Sequence, residues 1–126
     1  MSKTILIVED NENNMMLVRD VLQMKGYTVL EATTGTEGVR LAIGAKPDLI
    51  LMDIQLPDID GITALAQIRA NEAASKIPML AVSASVMPEE KQKIVASGFD
   101  AYITKPLNMK SFVETVEKFI GKAGDA

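Results

Sequence analysis

Five short aliphatic segments alternate with five segments of helical periodicity along this chain, and few folds accept that rhythm. TILIV (4–8), TVLEA (28–32), DLILM (48–52), MLAVS (79–83) and AYIT (101–104) are β-branched or leucine-rich and bounded by Gly, Pro, Asn or Asp. Those are strand signatures. The segments at 4–8 and 48–52 hardly alternate between apolar and polar, as expected of strands covered on both faces. Strict β-α alternation with short loops demands parallel strands joined by right-handed crossovers, with helices on both sides. The expectation is an α/β fold: a three-layer, open (βα)5 sheet.

The helical segments carry their own start and stop signals. In the first, Leu17, Val18, Val21 and Leu22 are expected to form the buried face, with Asn11 a candidate cap and Gly26 the stop. Thr34 and Glu37 make a capping-box pattern ahead of Val39, Ala42 and Ile43. Asp60-Gly61 precede Ile62, Leu65 and Ile68. Pro88 suits a first helical position, Glu89 and Glu90 suit the positive end of the dipole, and Gly98 closes that helix. Asn108 is the expected cap of the last helix, Leu107 and Phe112 its staple. Phe112, Val113, Val116, Phe119 and Ile120 form its apolar stripe, which ends near Ile120.

Length and composition narrow the function classes. The 126 residues are expected to form one domain, 1–126, with a core of about 4–120. The Met1 start and the short tail after Ile120 favour a complete protein. At 48% hydrophobic and 4% aromatic, with eight Met, the core must be aliphatic. The absence of cysteine fits a reducing compartment, and the apolar stretch at 4–8 is far too short for a signal peptide or membrane span. A cytoplasmic protein is expected. A net charge of -4 without a Lys/Arg block argues against nucleic acid and anionic membrane as partners. The chain has no histidine, so chemistry must run on carboxylates, hydroxyls and lysine.

In open α/β sheets, ligands bind beyond the carboxyl ends of the strands. The residues at those exits are Glu9 and Asp10, then Asp53, then Ser83 and Ser85, then Lys105-Pro106. If the strand order is 2-1-3-4-5, these exits converge with Asp53 in the middle. Two unit charges about 4 Å apart repel by about 4 kcal/mol at an effective dielectric near 20. A hard divalent cation reverses that cost, and Mg²⁺ takes oxygen ligands of this kind. Lys105 adds a positive charge and Ser83 a hydroxyl. The set suits phosphoryl transfer to Asp53, since carboxylates accept phosphoryl groups and cations neutralise the transferring oxygens.

VEDN (8–11), LILMDIQLPDIDG (49–61), AVSAS (81–85) and YITKP (102–106) together resemble the receiver domain of two-component response regulators, over about 4–120. The order 2-1-3-4-5 of a flavodoxin-like sheet comes with this resemblance, not from periodicity. The resemblance implies that Asp53 is the phosphoacceptor and that Mg²⁺ is the cofactor. Asp10 then binds the metal directly, Glu9 acts through water, and Asp53 and the Gln55 backbone carbonyl complete the protein's share. Lys105 bonds an acceptor oxygen, and the Lys105-Pro106 peptide is expected to be cis. Ser83 is the switch hydroxyl, and Tyr102 the aromatic that moves with it. Gln55 and Ser85 flank the route of attacking water. Glu9 departs from the commoner aspartate, and Ser83 from the commoner threonine.

A receiver is not expected to be an enzyme. Its implied donor is a histidine kinase or histidine phosphotransfer protein. Its implied output is movement near 84–90 that reshapes the fourth helix, fifth strand and fifth helix for a downstream protein partner, as monomer or activation-dependent dimer. VEDNENNMM and PDLILMDIQLP are especially similar to receivers of hybrid kinases and to stand-alone DivK-like receivers.

Other readings compete. A receiver module of a hybrid kinase shares every motif. A haloacid-dehalogenase-like phosphatase places its nucleophile after the first strand with an aspartate two positions on, whereas this chain has Glu9-Asp10-Asn11-Glu12. A pure binding module would take Mg²⁺ without phosphate. TTGT (33–36) resembles a flavin-phosphate loop but follows the second strand, and GAK (44–46) lacks P-loop spacing. Alone, Asp53 is equally a loop-starting aspartate. Tyr102 is equally a half-buried strand tyrosine, and Met15, Met16 and Met24 are core or edge filler, or a partner surface.

Overall fold

A computed structural model of the protein describes residues 3–84 and 87–122, so Ser85 lies outside the described residues. The elements run β1 (Thr4–Val8), α1 (Glu12–Met24), β2 (Thr28–Ala32), α2 (Gly35–Ala45) and β3 (Leu49–Asp53). They continue as α3 (Gly61–Arg69), β4 (Met79–Ser83), α4 (Pro88–Ala96), β5 (Ala101–Thr104) and α5 (Met109–Ile120). The strands form one sheet in the order β2-β1-β3-β4-β5, all pairs parallel. Among the described residues no helix is long and apolar enough to cross a membrane.

The lack of alternation in the central strands has its explanation in two separate cores. Ile5, Ile7, Leu49, Leu51 and Leu80 point to one face, under α1 and α5, and meet Met15, Val18, Leu22, Phe112, Val113 and Val116. Leu6, Val8, Ile50, Met52, Met79 and Ala81 point to the other. There they meet Ala42 of α2, Ala64, Leu65 and Ile68 of α3, and Ile94 of α4. A strand between two helical layers must be apolar at every position.

The helix starts follow the sequence signals. Side-chain oxygens of Asn11, Thr34, Asp60 and Asn108 accept from the amides of Asn14 (2.9 Å), Glu37 (3.1 Å), Thr63 (2.7 Å) and Ser111 (3.0 Å). Pro88 opens α4. Gly26 and Gly98 follow their helices at φ 95° and 116°, where a side chain would be strained.

Two expectations are corrected. The buried stripe of α1 keeps Val18 and Leu22, with Val21 packed at its edge, but Met15 at 4% exposed takes the place expected of Leu17, which is 50% exposed. Met15, Val18 and Leu22 are three and four residues apart, as one face of a helix requires, and Leu17 falls beside that row. β3 starts at Leu49, and Asp48 just before it accepts the Thr4 amide with its carboxylate (2.7 Å) at the entry of β1. It also ends one residue later than expected. Asp53 is therefore the last residue of the strand, in register with Val82, and not the first step beyond it.

Candidate functional site

The carboxyl ends of β1, β3, β4 and β5 carry the polar residues of interest, and the sheet register places them. Pairing of Ser83 with Thr104 continues as a bond from the Lys105 amide to the Ser83 carbonyl (2.9 Å), so Lys105 leaves the sheet beside β4. The Lys105-Pro106 peptide is cis. On the other side, the Glu9 amide extends the β1–β2 ladder by donating to the Ala32 carbonyl (3.0 Å). Asp53 sits on the central strand, between these two.

The side chains converge. Lys105 Nζ lies 2.9 Å from Asp53 Oδ2 and 3.0 Å from Glu9 Oε1. The other oxygen, Asp53 Oδ1, accepts from the Gln55 amide (3.0 Å), and Glu9 Oε2 accepts from the Asn11 amide (3.4 Å). Glu9 is 6% exposed and Asp53 5% exposed, while Asp10 reaches solvent. Each of Glu9, Asp10 and Asp53 offers a carboxylate oxygen, all within 4.8 Å of one another.

Three carboxylates against one ammonium leave an excess of negative charge in a partly desolvated place. Burial, and then the neighbouring Asp53 carboxylate, push the Glu9 carboxyl up to about 7, against the pull of Lys105. Burial works against the charge on Lys105, but the hydrogen bonds to Asp53 and Glu9 outweigh it and raise that group. The cluster offers only hard oxygen donors and carries more negative charge than its lysine balances. That composition fits a divalent cation of the Mg²⁺ type.

Ser83, at the end of β4, is buried. Tyr102 is half-buried on β5, with Lys91 Nζ of α4 lying 5.7 Å from its ring centroid. The structure thus brings Glu9, Asp10, Asp53, Gln55 and Lys105 into one cluster and sets Ser83 and Tyr102 on the two neighbouring strands. Of the α1 methionines, Met15 is core, while Met16 and Met24 are exposed.

Two residues of the site's frame went unassigned in the sequence reading. Gly61 opens α3 where a Cβ would meet the Asp53 carbonyl oxygen at 2.6 Å and Ile54 Cα at 2.9 Å. Asp58 accepts from the Gly35 amide (2.7 Å) and the Thr36 amide (2.9 Å) at the start of α2. The TTGT loop therefore spends these amides on an internal carboxylate, which leaves them no capacity for a flavin phosphate. The only local signal was DIDG (58–61), a cluster suited to turns.

A family model for the response regulator receiver domain matches residues 5–117. The polar-differentiation response regulator DivK of Brucella ovis is 41% identical over 123 residues, covering 98% of this chain and 100% of DivK. Among solved structures, one similar to this chain is the receiver domain of a sensor histidine kinase from Pseudomonas aeruginosa PAO1. That domain was crystallised with a magnesium ion coordinated in its active-site cleft. It superimposes with a TM-score of 0.89 at 31% identity, covering 97% of this chain and 100% of that one. A CheY-like receiver from Methanospirillum hungatei JF-1 gives 0.84 at 30% identity, over 94% of this chain and 93% of its own.

Proposed function

The chain belongs to the response regulator receiver domain family and is similar to DivK over the whole of DivK's length, and on that footing we propose that Asp53 is its phosphoacceptor. The observation that carries this reading is the Lys105 ammonium 2.9 Å from Asp53 Oδ2, where Asp53 clusters with Glu9 and Asp10 at the strand exits. An Asp53 oxygen attacks phosphorus, the bond from phosphorus to a donor imidazole breaks, and the imidazole leaves with the electron pair. The donor histidine belongs to a kinase or phosphotransfer protein, since this chain has none.

Each neighbour has a part. Lys105 holds one acceptor oxygen and stands where it can neutralise the arriving group. The Gln55 amide holds the other oxygen, so the carboxylate is oriented before any donor arrives. Glu9, Asp10, Asp53 and the Gln55 carbonyl would hold Mg²⁺. That ion, when bound, supplies positive charge against the transferring oxygens. Beside Lys105 a groove of about 360 Å³ opens, lined by Asn14, Leu17, Val18, Ala84, Pro106 and Leu107 among others. Its apolar rim suits the donor protein, and it gives the exposed Leu17 a use.

A phosphoryl group adds about -1.5 to -2 charge at neutral pH. Ser83 then turns toward it, and Tyr102 follows on β5, altering the α4–β5–α5 surface that a downstream protein reads. The chain acts as a stoichiometric acceptor rather than as a turnover enzyme. Incubation with acetyl phosphate and Mg²⁺, followed by intact mass measurement, tests this. The wild-type chain is expected to gain one phosphoryl group, while Asp53→Asn gains none and chelation of the metal suppresses the gain. Unlabelled wild type, or equal labelling of Asp53→Asn, would sink the reading.

A further inference from the structure

We propose that Asp58 is a positioning residue for the Asp53 site: clamped onto the start of α2, it fixes the arc of chain that carries Gln55 past the acceptor. This deepens, and its functional half rests on, the reading of Asp53 as phosphoacceptor.

The clamp is built from both sides. Helices begin with amides that lack intrahelical partners. In α2, the Thr34 hydroxyl oxygen serves one of them, the Glu37 amide, while the Gly38 amide already makes the first intrahelical bond, to the Thr34 carbonyl at 3.0 Å. The two remaining amides, Gly35 and Thr36, both go to the carboxylate of Asp58, which arrives from the loop after β3. The next residue, Ile59, packs equally close. A Cβ on Gly35 would lie 2.4 Å from Ile59 Cγ1 and 2.9 Å from the Ile59 carbonyl oxygen, so glycine is what admits the contact. Side-chain and backbone hydrogen bonds from Thr36 hold the Asp58 carboxyl well below the usual carboxylate range. The clamp therefore stays ionised throughout the range in which the acceptor cluster gains or loses its proton.

The geometry of the loop shows what the clamp controls. At one end, the Ile54 amide donates to the Val82 carbonyl (3.0 Å). At the other, the Gly61 amide donates back to the Ile54 carbonyl (2.9 Å), and Asp60 caps α3. Residues 55–59 bulge between these anchors, and Asp58 ties the bulge to α2. Gln55 lies three residues before Asp58, is exposed, and donates its amide to Asp53 Oδ1 at 3.0 Å. Freed at Asp58, the bulge can rotate. The Gln55 amide then leaves Asp53, and the Gln55 carbonyl leaves the metal position.

A comparison with Thr34→Ala separates positioning from helix capping, because the Thr34 hydroxyl caps the same helix through the Glu37 amide, within α2. In the metal-free protein, Asp58→Ala is expected to speed hydrogen exchange at the Gln55 amide, while Thr34→Ala leaves it as in wild type. With Mg²⁺ added, Asp58→Ala should weaken metal binding and slow acetyl phosphate labelling by about tenfold, the usual scale for losing an outer-shell partner. Thr34→Ala should change neither by more than about twofold on the same scale. Asp58→Asn keeps one acceptor oxygen, is expected to fall between, and carries the comparison if Asp58→Ala does not fold. Equal exchange at Gln55 in the Asp58 and Thr34 variants would overturn the proposal and leave Asp58 a plain cap. If wild type takes neither Mg²⁺ nor phosphoryl group, the acceptor reading falls, yet exchange at Gln55 still decides whether Asp58 positions the loop.

Discussion

Lys105→Met is expected to lower the stability of the metal-free protein by about 3 kcal/mol at pH 8, the scale of removing one partner from a buried ion pair. Methionine keeps most of the apolar stem and deletes the charge, so the loss isolates electrostatics from packing. In wild type the ammonium lies within 3.0 Å of both Glu9 and Asp53, whose side chains are nearly covered. Without it, two buried carboxylates confront each other with no cation between them. The cost must therefore follow the charge on Glu9.

The sign follows from the raised Glu9 carboxyl. Its ordinary value is 4.5, and the fold lifts it to about 7, so the folded state favours the neutral acid. That contribution is fully present below 4.5 and disappears as pH climbs through 7. Metal-free wild type should accordingly lose stability between these values. Lys105→Met should lose more at pH 8, where Glu9 is ionised, than at pH 5, where it is protonated. Saturating Mg²⁺ should shrink both losses, because a bound cation replaces the missing charge. Urea unfolding at pH 5 and pH 8, with and without Mg²⁺ and at constant m value, measures each case. A loss independent of pH would mean that Lys105 does not balance this cluster.

That cluster is legible in the sequence because its residues announce themselves by chain position. Each ends or follows an aliphatic run, and parallel α/β sheets gather strand exits at one edge. Glu9, Asp10, Asp53 and Lys105 could be named for that reason alone. The strand order that brings them together could not: periodicity is blind to which strands are neighbours, and the order came with the family resemblance. Leu17 was misplaced for a related reason. Met15 and Leu17 are both apolar, and only the direction in which α1 meets the sheet selects between them. Asp58 and Gly61 stayed hidden because their roles are approaches between segments distant in sequence. Nothing near Asp58 announces the Gly35 and Thr36 amides, which are contributed by α2.

Gly61→Ala is expected to cost about 2–3 kcal/mol, the upper range for overpacking, and to disable the acceptor as well. The added methyl carbon would lie 2.6 Å from the Asp53 carbonyl oxygen and 2.9 Å from Ile54 Cα. Both are backbone atoms of the segment that carries the acceptor, so no side chain can swing aside to relieve the clash. Relief requires α3 to move away from the end of β3. That movement strains the hydrogen bond that the Gly61 amide donates to the Ile54 carbonyl and shifts Asp53 relative to Lys105. Misplacement by about 1 Å can slow a positioned reaction by about a hundredfold, so acetyl phosphate labelling should fall further than stability alone explains. Gly44→Ala provides the contrast. That glycine lies in α2 with nothing within 4 Å of a Cβ, so the same substitution should stabilise by up to about 1 kcal/mol through helix propensity. Thermal unfolding of the two variants beside wild type gives both signs in one measurement. A Gly61→Ala protein as stable and as readily labelled as wild type would show that α3 does not need this close approach to hold Asp53 in place.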